Sequence, residues 1–336
     1  MPKVSVIVPV YNVAPYIERC VRSLFEQTLD DIEYIFVNDC TPDNSMEILY
    51  KVLEEYPRRK GQTTIVHHEC NRGALAARQT AVAVAAGDFI IACDSDDWVE
   101  LCMYEKMYDV AERENADMVW CDYYQDTINS QKRISLAYSC DSVAYVKGIM
   151  TNCIPGYLWN KLYRRTLFQK YADVSVVGAN MWEDLCITIP VTHYARKIIH
   201  IAQVFYHYRI DSTISIVRTH SVEKDQRRSQ DMIRNAEAVT NFLYRNELTN
   251  LYTPELYVLQ LAAKSSLLWQ LNPPLKEWKS TFPEANQYIN CSSFYSKALQ
   301  YCALYNCTWI YVIRDLVRSF RSRLKMNSIY SKKIAG

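Results

Sequence analysis

Three carboxylates stand within four residues at Asp94-Ser95-Asp96-Asp97, directly after the apolar run 89–93. Carboxylates this close repel one another unless a positive group lies between them. Hard oxygen ligands suit Mg²⁺ or Mn²⁺, which keep several waters and bridge to substrate phosphates. We therefore expect Asp94 and Asp96 to form a metal–diphosphate site. Asp97 is interpreted as the N-terminal cap of the helix that follows.

The elements that must position these carboxylates alternate along the first 125 residues. Apolar runs predict strands at 4–10, 32–37, 63–67, 89–93 and 116–121. Helical spacing of apolar residues predicts helices at 15–25, 43–56, 74–86 and 101–114. Strands and helices in alternation predict an α/β fold with a mainly parallel, Rossmann-like sheet flanked by helices.

Polar residues follow several of these strands. Tyr11 and Asn12 follow the first strand, and Asn38 and Asp39 follow the second. The acidic cluster follows the fourth. Because ligands bind beyond the carboxyl ends of parallel strands, we expect the three groups to converge on one crevice.

The chain divides by pattern into three regions, 1–125, 126–215 and 216–336. The second mixes aromatic and polar residues without clear periodicity, whereas the third is helical. Residues 1–215 carry 21 basic and 28 acidic side chains, and residues 216–336 carry 17 and 9. The acidic front region argues against a nucleic-acid partner, and the basic tail requires a separate explanation.

Composition limits the class of protein further. Apolar residues make up 49% and charged residues 22%, as in globular proteins. The twelve cysteines include no C-x-x-C pair, which argues against zinc ribbons and thioredoxin chemistry. No signal-peptide pattern and no apolar run of about 20 residues occurs. We therefore expect a cytoplasmic protein, soluble or peripheral at the inner face of the plasma membrane.

Ordered motifs over roughly residues 1–125 resemble family-2 glycosyltransferases, and further motifs extend the resemblance to about residue 215. The motifs are 4–12, 37–45, Asn71-Arg72-Gly73 with Arg78, Asp94-Ser95-Asp96-Asp97, Trp159-Asn160-Lys161-Leu162-Tyr163, Glu183-Asp184 and Tyr208-Arg209. The resemblance implies the A-type glycosyltransferase fold with a helical C-terminal extension.

For the donor, the resemblance implies a nucleotide-sugar site whose first loop packs on the nucleoside and whose arginines hold the diphosphate. The implied residues are Pro9, Tyr11, Asn12, Asp39, Arg78, Asp94 and Arg209. Asp39 would bind the base, although Asn38 stands where the family usually has another aspartate. Two alternatives remain: Asn38-Asp39 is a turn, and Arg78 is a surface residue of an amphipathic helix.

For the acceptor side, the resemblance implies that Asp184 is the general base and that Glu183 orients the acceptor. A pocket for the acceptor or sugar is implied at Trp159-Asn160-Lys161. The alternatives are a core role for Trp159 and a helix start with favourable acidic residues for Glu183-Asp184.

The implied metal ligands are Asp96 and, with weaker support, His207, binding Mn²⁺ or Mg²⁺. A lone histidine between aromatic residues is more often structural, so that alternative stays open for His207.

The implied activity is transfer of a hexosyl or N-acetylhexosaminyl group from a UDP-linked donor, with inversion, to a carbohydrate or lipid-linked saccharide acceptor. Its setting would be bacterial surface-polysaccharide biosynthesis. The alternatives are an inactive homologue that binds a partner and a metal-dependent nucleotidyltransferase. A Rossmann dehydrogenase is disfavoured, since no G-x-G-x-x-G follows the first strand.

The basic tail shows amphipathic spacing over 309–325, with Trp309 and Ile313 on one face and Arg314 on the other. Such a helix can lie on an anionic membrane surface. Docking on the catalytic domain with the charges in water is the alternative.

Overall fold

Five strands of the structure overlap the apolar runs that predict strands in the sequence, and four further strands lie outside those runs. The computed structural model describes residues 1–135, 138–171, 178–211 and 221–315. Its strands are β1 Val4–Val10, β2 Ile32–Asn38, β3 Thr63–His67, β4 Phe89–Ala92, β5 Trp98–Val99, β6 Met118–Asp126, β7 Gln131–Ile134, β8 Lys161–Arg164 and β9 Ile198–Arg209.

The helices fill the connections and the C-terminal region. They are α1 Ile17–Phe25, α2 Ser45–Glu55, α3 Pro57–Lys60, α4 Ala74–Val84, α5 Met103–Arg113, α6 Ser142–Met150, α7 Arg165–Tyr171, α8 Leu185–His193, α9 Val222–Arg245, α10 Thr249–Ser265, α11 Leu275–Ser280 and α12 Phe294–Leu304. Two 3₁₀ segments lie at Ser266–Trp269 and Pro283–Cys291, and residues 309–315 are helical.

One sheet carries all nine strands in the order β3-β2-β1-β4-β8-β6-β9-β5, with β7 paired to β6. The pairs β3-β2, β2-β1, β1-β4 and β6-β9 are parallel, and β8 joins the two halves through antiparallel pairs with β4 and β6. The predicted α/β class with a mainly parallel sheet and a helical C-terminal region is confirmed. Because β6 crosses residue 125, the first two predicted regions share this sheet.

Apolar faces on both sides of the sheet form the core. In α1 the buried residues include Ile17, Val21, Leu24 and Phe25, the face that the helical spacing predicts. Burying each such side chain contributes about 1.5–3 kcal/mol. The other face of the sheet packs against α4 and α8. A third cluster, which includes Leu261 and Trp278, lies within the C-terminal helices.

The start of the tail departs from its predicted polarity. Arg314, predicted on the solvated face, is buried and donates hydrogen bonds to the carbonyls of Leu268 and Gln270. Trp309 and Ile313 are 60% and 50% exposed instead. The assignment of Arg314 to a solvated face is therefore wrong. Residues 316–325 lie outside the described part of the chain. Across the described ranges, no helix is both long and apolar enough to span a membrane.

Candidate active site

The acidic loop follows β4 and is fixed by its last aspartate. Asp97 is 1% exposed; its Oδ2 accepts from the Tyr206 hydroxyl at 2.8 Å and its Oδ1 from the Arg209 backbone N–H at 2.7 Å. Burial, together with the charges of Asp96 and Asp94, raises the pKa of Asp97 well above its usual value. The next helix, α5, begins only at Met103. The helix-cap interpretation of Asp97 is therefore wrong, because this carboxylate ties the loop to β9.

A single buried guanidinium joins the acidic loop to the Glu183-Asp184 pair. Arg78 lies on α4 and is 4% exposed. Its Nη2 is 2.8 Å from Asp94 Oδ1, and its Nη1 is 2.9 Å from Asp184 Oδ1 and 3.3 Å from Glu183 Oε1. Burial lowers the pKa of Arg78, but the three carboxylates outweigh it and hold that pKa above its ordinary value. The alternative of a surface arginine is therefore wrong.

Two of the three acidic residues on this guanidinium, Glu183 and Asp184, have raised pKa values. Burial and the charge of Asp184 raise the pKa of Glu183 to about 8, against the opposing charge of Arg78. Burial also raises the pKa of Asp184, and the Arg78 charge offsets this. Asp184 makes the shorter contact with Arg78, so we assign the negative charge at neutral pH to Asp184 and the proton to Glu183.

The pair stands at a strained turn just before α8. Trp182, which precedes it, has a φ of +66°, a left-handed conformation that non-glycine residues rarely adopt. The side chain of Asp184 makes no hydrogen bond to the start of α8, although its backbone carbonyl accepts from the Thr188 N–H at 2.8 Å. A helix-capping role for this carboxylate is therefore not observed, and the side chain points to Arg78 instead.

The base-binding residue predicted after β2 lies under a turn. Asp39 is 2% exposed, and its carboxylate accepts from the backbone N–H groups of Arg72 and Gly73 at 2.8 and 2.7 Å. The ring of His68 lies 2.7 Å from the same carboxylate. Asn38 accepts from the Thr41 N–H at 2.9 Å, which supports the turn interpretation of this motif. The geometry thus gives Asp39 a structural task at the entry to α4, and its contact with a base stays a prediction.

The Arg72-Gly73 turn, whose N–H groups donate to Asp39, requires glycine at position 73. Gly73 has a φ of +90°, and a Cβ there would lie 2.4 Å from Asn180 Oδ1. The positive φ and the close approach both favour glycine at this position. Since Asn180 precedes the Glu183-Asp184 pair, the approach also sets α4, and with it Arg78, against that segment.

The first strand ends in the loop predicted to hold the nucleoside. Pro9 lies within β1, and Tyr11 is 45% exposed just beyond the strand. Asn12 has a φ of +55°, and its N–H donates to Thr41 Oγ1 at 2.7 Å. The β1 and β2 loops are therefore in contact, with the Tyr11 ring open to solvent.

The Trp159-Asn160-Lys161 motif supports the site from within. The three residues are 1–2% exposed, so none of them lines an open pocket, and the prediction that they do is corrected. Trp159 stacks between Tyr157 at 4.8 Å and Tyr206 at 4.2 Å between ring centroids. The core alternative for Trp159 is the one that the structure favours.

His207 and Arg209, the two predicted site residues on β9, contact different groups. His207 is hydrogen-bonded through Nδ1 to Asp126 Oδ2 at 2.8 Å and through Nε2 to Glu100 Oε1 at 2.9 Å. Both ring nitrogens are therefore engaged, which supports the structural alternative for His207, and its role as a metal ligand stays a prediction. The Nε of Arg209 lies 3.4 Å from the Asp96 carbonyl, which places this guanidinium at the acidic loop.

The acidic loop can supply only part of the coordination shell of a divalent cation, and substrate phosphate oxygens and waters would supply the rest. Within the described ranges, no three His, Cys, Asp or Glu side chains are grouped so as to hold a metal. Asp94 and Asp96 are half-buried carboxylates at a strand end, and Mg²⁺ or Mn²⁺ commonly binds one or two carboxylates and completes its shell with waters and phosphate oxygens.

Sequence reasoning missed Tyr206, which packs on Trp159 and holds the acidic loop. Its hydroxyl accepts from the Asp94 N–H at 3.1 Å while donating to Asp97. The one local signal was its position in the aromatic strand before Tyr208-Arg209. That pattern does not reveal a partner more than a hundred residues away.

Comparison with known proteins gives consistent results. Residues 5–172 match the model of Glycosyl transferase family 2. The uncharacterized glycosyltransferase EpsJ of Bacillus subtilis is 33% identical over 62% of this chain and 61% of its own length. The putative glycosyltransferase EpsH of the same organism is 31% identical over 83% of this chain and 78% of its own length.

Among solved structures, S. aureus TarS 1–349 in complex with UDP-GlcNAc superimposes with a TM-score of 0.56 at 16% identity. That match covers 90% of this chain and 92% of the other. The mannosyltransferase PcManGT of Pyrobaculum calidifontis gives 0.53 at 17% identity, covering 95% and 87%. These similarities establish the fold, and the sequence matches establish the family. The chain belongs to glycosyltransferase family 2.

Proposed function

We propose that this protein transfers a hexosyl or N-acetylhexosaminyl group from a UDP-linked sugar to a carbohydrate or lipid-linked saccharide, with inversion, in surface-polysaccharide biosynthesis. The observation that carries the proposal is the bridge from Asp94 through Arg78 to Asp184. The bridge brings a donor-side carboxylate and the proposed base to one guanidinium.

In the proposed reaction Asp184 accepts the proton of the acceptor hydroxyl as that oxygen attacks the anomeric carbon. The Arg78 charge opposes protonation of Asp184, so it keeps this base available near neutral pH. Glu183, with its raised pKa, is neutral there and serves as a hydrogen-bond donor that orients the acceptor. The carbon–oxygen bond to the diphosphate breaks as the new glycosidic bond forms on the opposite face.

The donor diphosphate would lie between the acidic loop and the arginines. Arg209 at the loop and Arg78 beside Asp94 are suited to phosphate oxygens, because guanidinium donors match them in bidentate geometry. Asp96 would hold Mn²⁺ or Mg²⁺, which supplies charge neutralisation for the leaving diphosphate when bound. The titles of the TarS and PcManGT structures name UDP-GlcNAc, and GDP-Man with Mn²⁺, which supports a nucleotide sugar and a cation here.

A direct experiment is to incubate the purified protein with UDP-, GDP- and dTDP-sugars, with Mn²⁺ or EDTA, and to identify the products. Release of UDP from a UDP-sugar that needs Mn²⁺ supports the proposal. Formation of UTP and a sugar 1-phosphate from the UDP-sugar when pyrophosphate is added would indicate a nucleotidyltransferase. Binding without turnover, even with a saccharide acceptor panel, would indicate an inactive homologue.

The proposal includes a place for the reaction at the cytoplasmic face of the membrane, where a lipid-linked acceptor would be presented. The exposed Trp309 and Ile313 at the start of the basic segment 309–325 support it. Flotation with phosphatidylglycerol-containing liposomes tests it: we expect binding that is lost when Trp309 and Ile313 are both replaced by serine. Equal flotation of both proteins, or none with the unaltered protein, would contradict it.

A further inference from the structure

Lys161 carries an ammonium group inside the protein, and no carboxylate among the described residues is in hydrogen-bond contact with it. The residue is 1% exposed, at the start of β8. Its Nζ donates to the Tyr157 carbonyl at 2.6 Å, to Asn160 Oδ1 at 2.8 Å and to the Pro155 carbonyl at 3.2 Å. Burying a lysine without a bonded acid costs free energy, and the three hydrogen bonds of Lys161 offset part of that cost.

The three acceptors indicate that the charged form is the one accommodated. An ammonium has three protons, which match the three oxygens, whereas a neutral amine has only two. Burial lowers the pKa of Lys161 to about 7, and the charge of Asp184 opposes this shift. The charge of Asp184 therefore favours the protonated form of Lys161, although Asp184 is hydrogen-bonded to Arg78.

The turn that Lys161 holds carries part of the wall of the site. Tyr157 is partly exposed and stacks on Trp159, which stacks in turn on Tyr206. The Tyr206 hydroxyl donates to Asp97 in the acidic loop. Burial and the charge of Asp184 raise the pKa of Tyr157, so this ring also lies near the proposed base. Lys161 is therefore connected to the acidic loop through the contacts of Tyr157, Trp159 and Tyr206. It is connected to Asp184 through charge.

We propose that Lys161 is a positioning residue of the transfer site, whose ammonium holds the turn at 155–160 and, together with Arg78, keeps Asp184 ionised. The proposal rests on the proposed function in taking Asp184 as the base. Lys161 does not touch the substrate, because it is enclosed. It acts through the Tyr157 backbone and through its charge on Asp184.

Other groups also act on these two residues. Asp184 is influenced by Arg78 and Asp94, Glu183 lies beside it on Arg78, and Cys121 adds to the charges acting on Lys161. Neutral groups near Asp184 are Tyr157, Tyr163 and Cys186. Among the described residues named here, Arg78 is the other cation acting on Asp184, so the single substitution of Lys161 removes one of these two charges and leaves the other in place.

The chain offers a matched control in Lys264. This second buried lysine donates to the Phe282 carbonyl at 3.2 Å and to Asn286 Oδ1 at 3.0 Å, in the C-terminal helices. Burial lowers its pKa to about 8. Lys161→Met and Lys264→Met therefore remove the same chemistry at two places, one of which is remote from Asp184.

The experiment follows the Asp184 carboxyl carbon by NMR in protein labelled at aspartate, with Asp184→Asn to assign the signal. We expect Lys161→Met to move the midpoint of the Asp184 titration to higher pH and Lys264→Met to leave it unchanged. Equal midpoints in all three proteins would overturn the proposal. The titration needs no substrate, so its failure is distinguishable from failure of the glycosyltransferase proposal.

A second measurement covers the case in which Lys161→Met does not fold. In the Glu183→Gln protein the Asp184 signal should show a further inflection near neutral pH, as Lys161 loses its proton. The substitution removes the Glu183 titration that would otherwise overlap. A single inflection between pH 3 and 9 in this protein would overturn the proposal.

Discussion

Arg78 and Asp184 are 106 positions apart in the chain, yet Nη1 of the arginine lies 2.9 Å from Oδ1 of the aspartate. The same guanidinium binds Asp94, so the acidic loop and the Glu183-Asp184 pair share one cation. In the proposed reaction, Arg78 would therefore couple substrate binding electrostatically to proton removal.

Replacing Arg78 with methionine should leave the acidic side chains of Asp94, Glu183 and Asp184 without the buried cation that they share. Breaking a buried ion pair by removing one partner costs about 3–5 kcal/mol, so urea unfolding should show a loss of this order. Arg22→Met is the matched control, since Arg22 also binds two acids, Glu18 and Glu55, but at the surface. It should cost less than about 1 kcal/mol. Equal losses would argue against a special role for Arg78.

Replacing Asp184 with asparagine should abolish proton acceptance and preserve the shape of the site. We expect kcat to fall by about 10²–10⁴-fold, the range for general-base catalysis. The dissociation constant of UDP with Mn²⁺, measured by calorimetry, should stay close to that of the unaltered protein. Full turnover in Asp184→Asn, with loss of turnover in Asp96→Ala, would refute the assignment of the base.

The raised pKa of Glu183 predicts a pH dependence of folding stability. The carboxyl group is ionised above about pH 4.5 in the unfolded chain but only above about 8 in the folded protein. Between these values the folded state binds the extra proton, so Glu183 makes the free energy of unfolding decrease as pH rises. Urea titrations from pH 5 to 8 should show a smaller decrease in Glu183→Gln. An unchanged slope would mean that Glu183 is ionised in the folded state.

Replacing Tyr206 with phenylalanine should loosen the acidic loop specifically. The substitution removes the hydroxyl between Asp97 and the Asp94 N–H, at a cost of about 1–3 kcal/mol for the buried groups left unpaired. We also expect a higher Mn²⁺ concentration at half-maximal activity. Tyr163→Phe, which removes a buried hydroxyl bound to Thr192, should destabilise the fold without altering the Mn²⁺ requirement. An equal Mn²⁺ dependence in both variants would count against the loop assignment.

Local sequence patterns predicted β1, β2, β3, β4 and β6 because these strands contain runs of apolar or β-branched residues. They did not predict β5, β7, β8 and β9, whose sequences are short or mix polar with apolar residues. β1 occupies the predicted range 4–10, and the strand before the acidic loop begins at the predicted residue, Phe89. Alternation then specifies where polar loops gather. That level of prediction depends on residues close in sequence.

Predictions that needed a distant partner were the ones that the structure changed. Asp97 has the sequence context of a helix cap, but its partners, Tyr206 and Arg209, lie 109 and 112 positions away. Trp159, Asn160 and Lys161 read equally as pocket or as core, since burial depends on the packing of β6, β8 and β9. The sequence near His207 does not indicate its hydrogen-bond partners, which in the fold are the carboxylates of Asp126 and Glu100.

The pairing of β9 has a consequence for folding during synthesis. β9 lies beside β6 and β5, and its residues anchor the acidic loop through Asp97. A ribosome that has released only the first four strands presents an α/β layer whose acidic loop lacks this anchor. The half of the sheet formed by β1 to β4 should therefore fold early, but it should become able to bind UDP only after residue 209 has emerged. A nascent chain arrested before β9 should be compact and yet unable to retain UDP.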